Sequence, residues 1–577
     1  GTQLSARSSR HAALGTQLSA RSSWQRLFLG MVFEVNAFRS PKNRRPSVAS
    51  GWPPTPSRAT SLLVSVTGSK RSTARPATGR TGRQGRGAPR DGPAKARKSG
   101  SPPNARSPRP ESPADGREIA LRVLRRVFTQ GAFASTVLRH ELTRTEPAAT
   151  PDPASDPISA TDRPATPASP ALPEERSPFA AEADPSDSDR RRASDKALAT
   201  EIVYGVLRRR HFLDRAVSRA AGKRLKDLDP RLHDVLRVAA YQLAYLERVP
   251  DHAAVNQAVE QAKRRLGTRG AGTANAILRR LAELPPDRRI PEPPSTRDPV
   301  ERVMHEGGVP RDLAALWVAD LGPDRALAFA RASLDPAPQT LRANLLRTTQ
   351  KALAREVGGT PGRHERAVRL PQGGAGLAAD LDAVRAGRAT PQDEASMAVV
   401  DLLDPKPGEH ILDLCAAPGG KTTCIAEVTE DRARIDAYDR LPDRLRQVPQ
   451  NAARLGLSSI QTLEALPEPE PVHDRVLVDA PCSGLGTLRR HPEIRWKFRA
   501  DELDRLVRTQ RRVLLDGAER VRPGGMLVYS VCTVTEREGP AALDAVKGAF
   551  QIEQTWSTGP DQEGAPDGFF AACLKKR

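Results

Sequence analysis

The sequence predicts a multidomain chain in which an all-α helical bundle precedes a doubly wound α/β domain. Between residues 116 and 286, apolar side chains recur at helical spacing. From residue 410 onward, four short apolar strands appear, and three of them end in turns of small residues that carry Cys415, Cys482 and Cys532. Composition shows that part of the chain packs into neither domain: of 577 residues 38% are hydrophobic, against roughly 45–50% in ordinary globular domains, and 52 are proline.

The elements follow in order. Residues 1–115 hold 21 basic and 4 acidic side chains, so they supply +17 of the net +22. They repeat GTQLSARSS and show no helical or strand period, which predicts a disordered basic tail. Such a tail reads as an RNA-tethering arm, a targeting peptide or a product of a mis-set start site, and the last is favoured because composition alone specifies no address. From Gly116, helical periodicity runs through Ala120, Val123, Leu124, Val127 and Phe128. Residues 146–189 contain 10 prolines and 10 acidic residues, a composition that cannot continue a helix and predicts a solvated insertion. Helices resume at Ser194 and continue through Leu232, Val235, Leu236, Ala239, Leu243 and Leu246, then Val255, Ala258, Val259, Ala262 and Leu266.

The apolar strand His410–Leu414 leads into Cys415-Ala416-Ala417-Pro418-Gly419-Gly420-Lys421 and a helix. Small residues at a strand-to-helix turn let a ligand approach the backbone, and the helix start offers unpaired N–H groups. A phosphate-binding P-loop needs glycine at the position of Cys415, so that reading fails. A second strand, 433–438, ends at Asp439, placed to accept hydrogen bonds from ribose hydroxyls, and Leu441, Leu445, Val448, Ala452 and Leu455 mark the next helix. A strand over 474–478 delivers Asp479 and Cys482. Another over 526–529 follows an Arg522-Pro523-Gly524-Gly525 turn and delivers Cys532. In open parallel sheets, ligands bind outside the carboxyl ends of strands, so these ends are expected to share one crevice. The five cysteines form no CxxC pair, which argues against a disulfide framework or a zinc site, and no window approaches the length of a membrane span.

The strings SDKALATEIVYGVLRRRHFLDRAV, LDPRLHDVLRVAAYQLAYLERVP and ANAILRR closely resemble the NusB-like RNA-binding domain that precedes bacterial ribosomal RNA cytosine-5 methyltransferases. DLCAAPGGKT, DAPCSGLGTLRRHPEIRWK, RPGGMLVYSVCT and the late DGFF look like the RsmB branch of the Sun family, S-adenosylmethionine-dependent RNA cytosine-5 methyltransferases. The resemblance covers about residues 116–577. Beyond the disordered tail over 1–115, it implies a NusB-like bundle over 116–286, interrupted by the insertion over 146–189, a small α+β RNA-contacting subdomain over 287–395 (around Leu341–Asn344 and Thr390–Asp393), and an α/β Rossmann-like class I methyltransferase domain over 396–577.

The resemblance also implies the site. Cys415, Ala416, Ala417, Pro418, Gly419, Gly420 and Lys421 cradle the methionine end of S-adenosylmethionine, Asp439 holds its ribose, and Asp479 lies between cofactor and base. Cys532 is the nucleophile and Cys482 the thiol that helps release product. Chemically, C5 of cytosine is a poor nucleophile until a thiolate adds to C6, and a protonated Asp479 bonded to N3 would stabilise the charge that develops. The family's Asp beyond the third strand is missing from Gln461–Pro467, where Glu464 is the candidate substitute. The expected substrate is a cytosine in 16S ribosomal RNA. The alternatives are a transfer RNA methyltransferase or a non-catalytic assembly factor, and possession of both thiols, the cradle and Asp439 favours the enzyme. The expected protein is a cytoplasmic monomer with ribosomal RNA as partner, no metal and no membrane association.

Overall fold

The computed structural model describes residues 115–144, 187–371, 378–562, 564 and 566–577. The basic tail and nearly all of the proline-rich acidic segment therefore lie outside the described residues. Among the described residues, no helix is long and apolar enough to cross a membrane.

The predicted helical periodicity becomes helices Gly116–Gln130, Ala134–Thr143, Asp187–Ala221, Pro230–Tyr245 and Asp251–Ala282. They close around Val123, Leu124, Ile202, Val206, Leu213, Val235, Leu236 and Leu278, all fully buried. Asp115 and Asp229 cap two of these helices by accepting from the backbone N–H two residues on. One boundary differs from expectation: the third helix starts at Asp187, not Ser194, because Pro185 is the last helix breaker before Ala221.

Residues 287–395 build two units. Helices Pro299–Gly307, Arg311–Leu321 and Pro323–Ala332 pack around Trp317 and Phe329, and their core is completed by Leu485 and Leu488 from far along the chain. Strands β1 (Thr340–Ala343), β2 (Thr360–Pro361), β3 (Ala367–Arg369) and β4 (Ala389–Pro391) form an antiparallel sheet in the order β2-β3-β1-β4, with its own small core of Leu341, Leu353, Val368 and Val384.

The α/β domain carries β5 (His410–Asp413), β6 (Arg434–Ala437), β7 (Ile460–Thr462), β8 (His473–Asp479), β9 (Val521–Val531), β10 (Phe550–Thr558) and β11 (Phe569–Lys576), in the order β10-β11-β9-β8-β5-β6-β7. The strands from β7 to β9 are mutually parallel, and β11 and β10 join antiparallel at one edge. Strand order reverses beside β5, which places the switch-point crevice at the carboxyl ends of β5 and β8. Two local expectations fail. Arg522–Gly525 is not a turn before the strand but lies inside β9, where the register against β8 shifts between His473 and Arg475. Leu441 does not face the core; it is exposed at the start of the short helix Pro442–Leu445, and burial begins at Leu445 and Val448.

Candidate active site

The loop that leaves β5 is tied down from several sides. Ala416 N donates to Tyr438 O at 2.9 Å, Gly419 N to Ala416 O at 2.7 Å, Arg444 Nη2 to Ala417 O at 2.9 Å and Asn451 Nδ2 to Pro418 O at 2.9 Å. Gly419 adopts φ +101°, and a Cβ there would stand 3.2 Å from Val448 Cα, so glycine is required for both conformation and space. Asp439 accepts from Ala417 N at 3.3 Å and Leu441 N at 2.9 Å, which joins the second strand end to the first.

Beneath this loop lies Asp413, the last residue of β5, 1% exposed. Its Oδ2 accepts from Thr422 Oγ1 at 2.7 Å, while the buried Oδ1 has no hydrogen-bond partner. Burial, with Asp479 adding to it, pushes this carboxyl up to about 7. Cys415 is held well above the ordinary thiol range, first by burial and then by Asp413, Asp479 and Asp439. Asp439 and Asp479, on either side of this small-residue loop, give it an acidic rim that suits a ligand carrying positive charge.

The third and fourth strand ends meet the first at Lys421. Its Nζ donates to Asp479 Oδ2 at 2.6 Å, and Ser530 Oγ donates to Asp479 Oδ1 at 2.7 Å. Burial opposes the ammonium charge, but Asp479 outweighs it and raises Lys421. Both oxygens of Asp479 thus accept, one from an ammonium and one from a hydroxyl. Cys482 and Cys532 lie with their sulfurs 3.1 Å apart. The Cys482 thiol is held well above its usual value by its hydrogen bond to Cys532, by burial and by the nearby charge of Glu538.

Cys415 to Lys421, Asp439, Asp479, Cys482 and Cys532 are therefore brought to one edge of the sheet. Glu464 sits exposed two residues beyond β7 at the same edge. Sequence reasoning missed Asp413, Ser530 and Glu538; of these, an acid ending an apolar strand, like Asp439 after β6, was the one readable signal. Among the described residues, His410, Asp436 and His473 form the one cluster with metal-ligand chemistry. His410 and His473 open β5 and β8, at the end of the sheet remote from the thiols, and Asp436 Oδ2 is shared by the two imidazoles at 2.7 and 3.3 Å.

A parallel sheet in this order, with a small-residue turn opening a helix and acids at the neighbouring strand ends, defines a methyltransferase of the doubly wound class, here with a helical domain in front. Comparison with known proteins supplies the branch. Residues 400–574 match the family model described as 16S rRNA methyltransferase RsmB/F, and residues 168–283 match the NusB family. The chain is 35% identical over 364 residues to the probable ribosomal RNA small subunit methyltransferase B of Bacillus subtilis (strain 168), covering 61% of this chain and 79% of the relative. It is 34% identical over 396 residues to the ribosomal RNA small subunit methyltransferase B of Thermus thermophilus, covering 66% of this chain and 89% of the relative. Among solved structures, PH0851 superposes with a TM-score of 0.60 at 23% identity, over 80% of this chain and 98% of its own, which speaks to the fold. The chain belongs to the RsmB/F family of 16S rRNA methyltransferases, and it is an rRNA methyltransferase.

Proposed function

We propose that this enzyme methylates C5 of a cytosine in small-subunit ribosomal RNA, with Cys532 as the nucleophile and Cys482 as the thiol that serves release. The observation that carries the reading is the pair of sulfurs 3.1 Å apart, beside an Asp479–Lys421 ion pair at 2.6 Å. S-adenosylmethionine, when bound, supplies an electrophilic methyl group on a sulfonium. The free oxygen of Asp413 and the acids Asp439 and Asp479 fit that cofactor's cationic end and ribose, and the Gly419 turn fits its close approach.

Each residue then has a task. Cys482 keeps its proton and holds it in a hydrogen bond to the Cys532 sulfur, and Cys532 adds to C6 as the thiolate. As addition pushes charge onto the base, the proton held by Lys421 passes through Asp479 to N3, so that Asp479 works as an acceptor that becomes a donor. After transfer the C5 proton leaves to solvent, the C6–S bond breaks and its electron pair returns to Cys532, which again accepts from Cys482, while the N3 proton passes back through Asp479 to Lys421. The helical bundle, with its Arg-rich faces, would hold the RNA. Presentation of one unstacked base would be a matter of RNA shape rather than of a readable code.

RNA containing 5-fluorocytosine tests the assignment, because fluorine cannot leave as a proton. Cys532→Ala should give neither methylation nor adduct. Cys482→Ala should accumulate a protein–RNA adduct on ordinary RNA that survives a denaturing gel. An adduct in Cys532→Ala and none in Cys482→Ala would reverse the two roles.

A further inference from the structure

Glu538 is fully buried, and its side chain faces both thiol-bearing strand ends. Oε1 accepts from Ser483 N at 2.7 Å and Gln510 Nε2 at 3.0 Å. Oε2 accepts from Ser483 Oγ at 2.6 Å, Thr535 Oγ1 at 2.9 Å and Thr533 Oγ1 at 3.2 Å. Ser483 follows Cys482 and Thr533 follows Cys532, so one carboxylate grips the neighbour of each sulfur. The grip is itself held from behind. Gln510 Nε2 also donates to Pro481 O at 3.0 Å, and the buried Tyr529 hydroxyl donates to Glu538 O at 2.6 Å. A purely architectural link between two loops would need no charge, since a neutral amide or a hydroxyl pair joins loops without the cost of burying an anion.

We propose that Glu538 is a positioning residue that sets the separation of the two sulfurs and, by its charge, keeps Cys482 as the hydrogen-bond donor of the pair. The inference rests on the two-thiol mechanism above. It explains how two similar thiols on adjacent loops come to differ: the carboxylate takes two bonds from Ser483, beside Cys482, and one longer bond from Thr533, beside Cys532, and its charge disfavours a second negative charge at Cys482. The charged and titratable groups that act on Cys482 are Cys532 and Glu538, and Cys482 and Glu538 in turn act on Tyr529.

The test uses full-length Glu538→Gln, which keeps the shape and removes the charge. The rate of iodoacetamide labelling is followed against pH, and the Cys482 and Cys532 peptides are read separately by mass spectrometry. The Cys482 labelling profile should move down by about one pH unit or more in Glu538→Gln. Methylation in a single turnover should fall at least tenfold with the KM for S-adenosylmethionine unchanged. Glu538→Asp, which keeps the charge on a shorter stem, should leave the Cys482 profile near wild type yet still slow methylation. If Glu538→Gln does not fold, Ser483→Ala carries the test, with slower turnover and an unshifted Cys482 profile expected. Unchanged labelling profiles in folded Glu538→Gln would overturn the proposal. A wild-type RNA adduct on Cys482 would instead overturn the mechanism, and the two failures are thereby distinguishable.

Discussion

Arg342 lies in β1 of the small antiparallel sheet, yet its guanidinium is wholly buried against the helix Gly420–Val428 that opens the cofactor cradle. It grips Glu427 through Nε at 2.9 Å and Nη2 at 2.8 Å, and it reaches Gly420 O at 2.7 Å and Thr423 Oγ1 at 3.0 Å. Arg342→Met removes the cation and strands a carboxylate that is itself 5% exposed. Loss of one partner of a buried pair costs about 3–5 kcal/mol, whereas replacing both with apolar groups of similar volume is often close to neutral. Arg342→Met and Glu427→Leu should therefore each destabilise the helix strongly, and the double variant should recover most of that loss. Native-state hydrogen exchange of the amides in Gly420–Val428 reads this locally, whether or not the whole chain unfolds in one step. Cofactor calorimetry separates the two consequences: the double variant regains stability but lacks the strut on the Gly420 carbonyl, so its affinity for S-adenosylmethionine stays below wild type. A single-variant cost under about 1 kcal/mol, or a double variant that loses the sum of both singles, would refute a coupled buried pair.

Asp439→Ala removes the acceptor for Ala417 N and Leu441 N together with the expected ribose contact, so S-adenosylmethionine should bind about tenfold weaker or more while RNA affinity holds; calorimetry showing unaltered cofactor binding would take Asp439 out of the site. Asp413, lifted from 3.8 to about 7 in the fold, binds a proton there that the unfolded chain has lost, so stability should fall as pH rises from about 4 to 7 and then level. Asp413→Asn should abolish that decline, worth on the order of 4 kcal/mol in all, and urea midpoints that run parallel for both proteins would contradict it. Trp496→Ala should loosen the helical bundle from the α/β domain, exposing the Arg208–Leu213 region to limited proteolysis at unchanged cofactor affinity; an unaltered digestion pattern would count against that anchor.

Much of the fold was legible because its signals are local. Heptad-like spacing gave the bundle, and strand ends with Cys415, Asp439, Asp479 and Cys532 gave the crevice, since a parallel sheet forces its functional residues to the carboxyl edge. Pro-Gly-Gly at 523–525 misled because it is ordinary turn chemistry. Here Arg522–Gly525 sit inside β9 as a bulge between the pairs His473–Val521 and Arg475–Met526, with Gly524 at φ +75°, and Gly525 lies so near Asp474 O that a Cβ would come within 2.8 Å of it. The three helices over 299–332 showed no independent core because their core includes Leu485 and Leu488. Arg342, Glu427 and Glu538 were invisible for the same reason: a buried charge is recognised by its partner, and each partner lies on another element.

The segment His491–Lys497 shows what a family string can hide. Quoted for its likeness, it reads as part of the catalytic domain, but its side chains fasten the helical bundle. Trp496 Nε1 donates to Leu207 O at 2.7 Å, and Lys497 Nζ donates to Ala132 O at 3.0 Å and lies 4.0 Å from the Phe133 ring centroid. The wholly buried Arg495 donates to Ser333 O at 2.9 Å, and burial lowers its guanidinium to about 9. Glu493 Oε1 accepts from Ala134 N at 2.9 Å, which caps from outside a helix whose own N-cap residue, Phe133, offers no side-chain cap. Glu493 is also fully buried, so the junction is built from buried polar and charged groups rather than from an apolar seam. The same short stretch of chain begins at Cys482, whose neighbour Ser483 is gripped by Glu538. The segment that fastens the bundle is in this way continuous along the chain with the loop that carries Cys482.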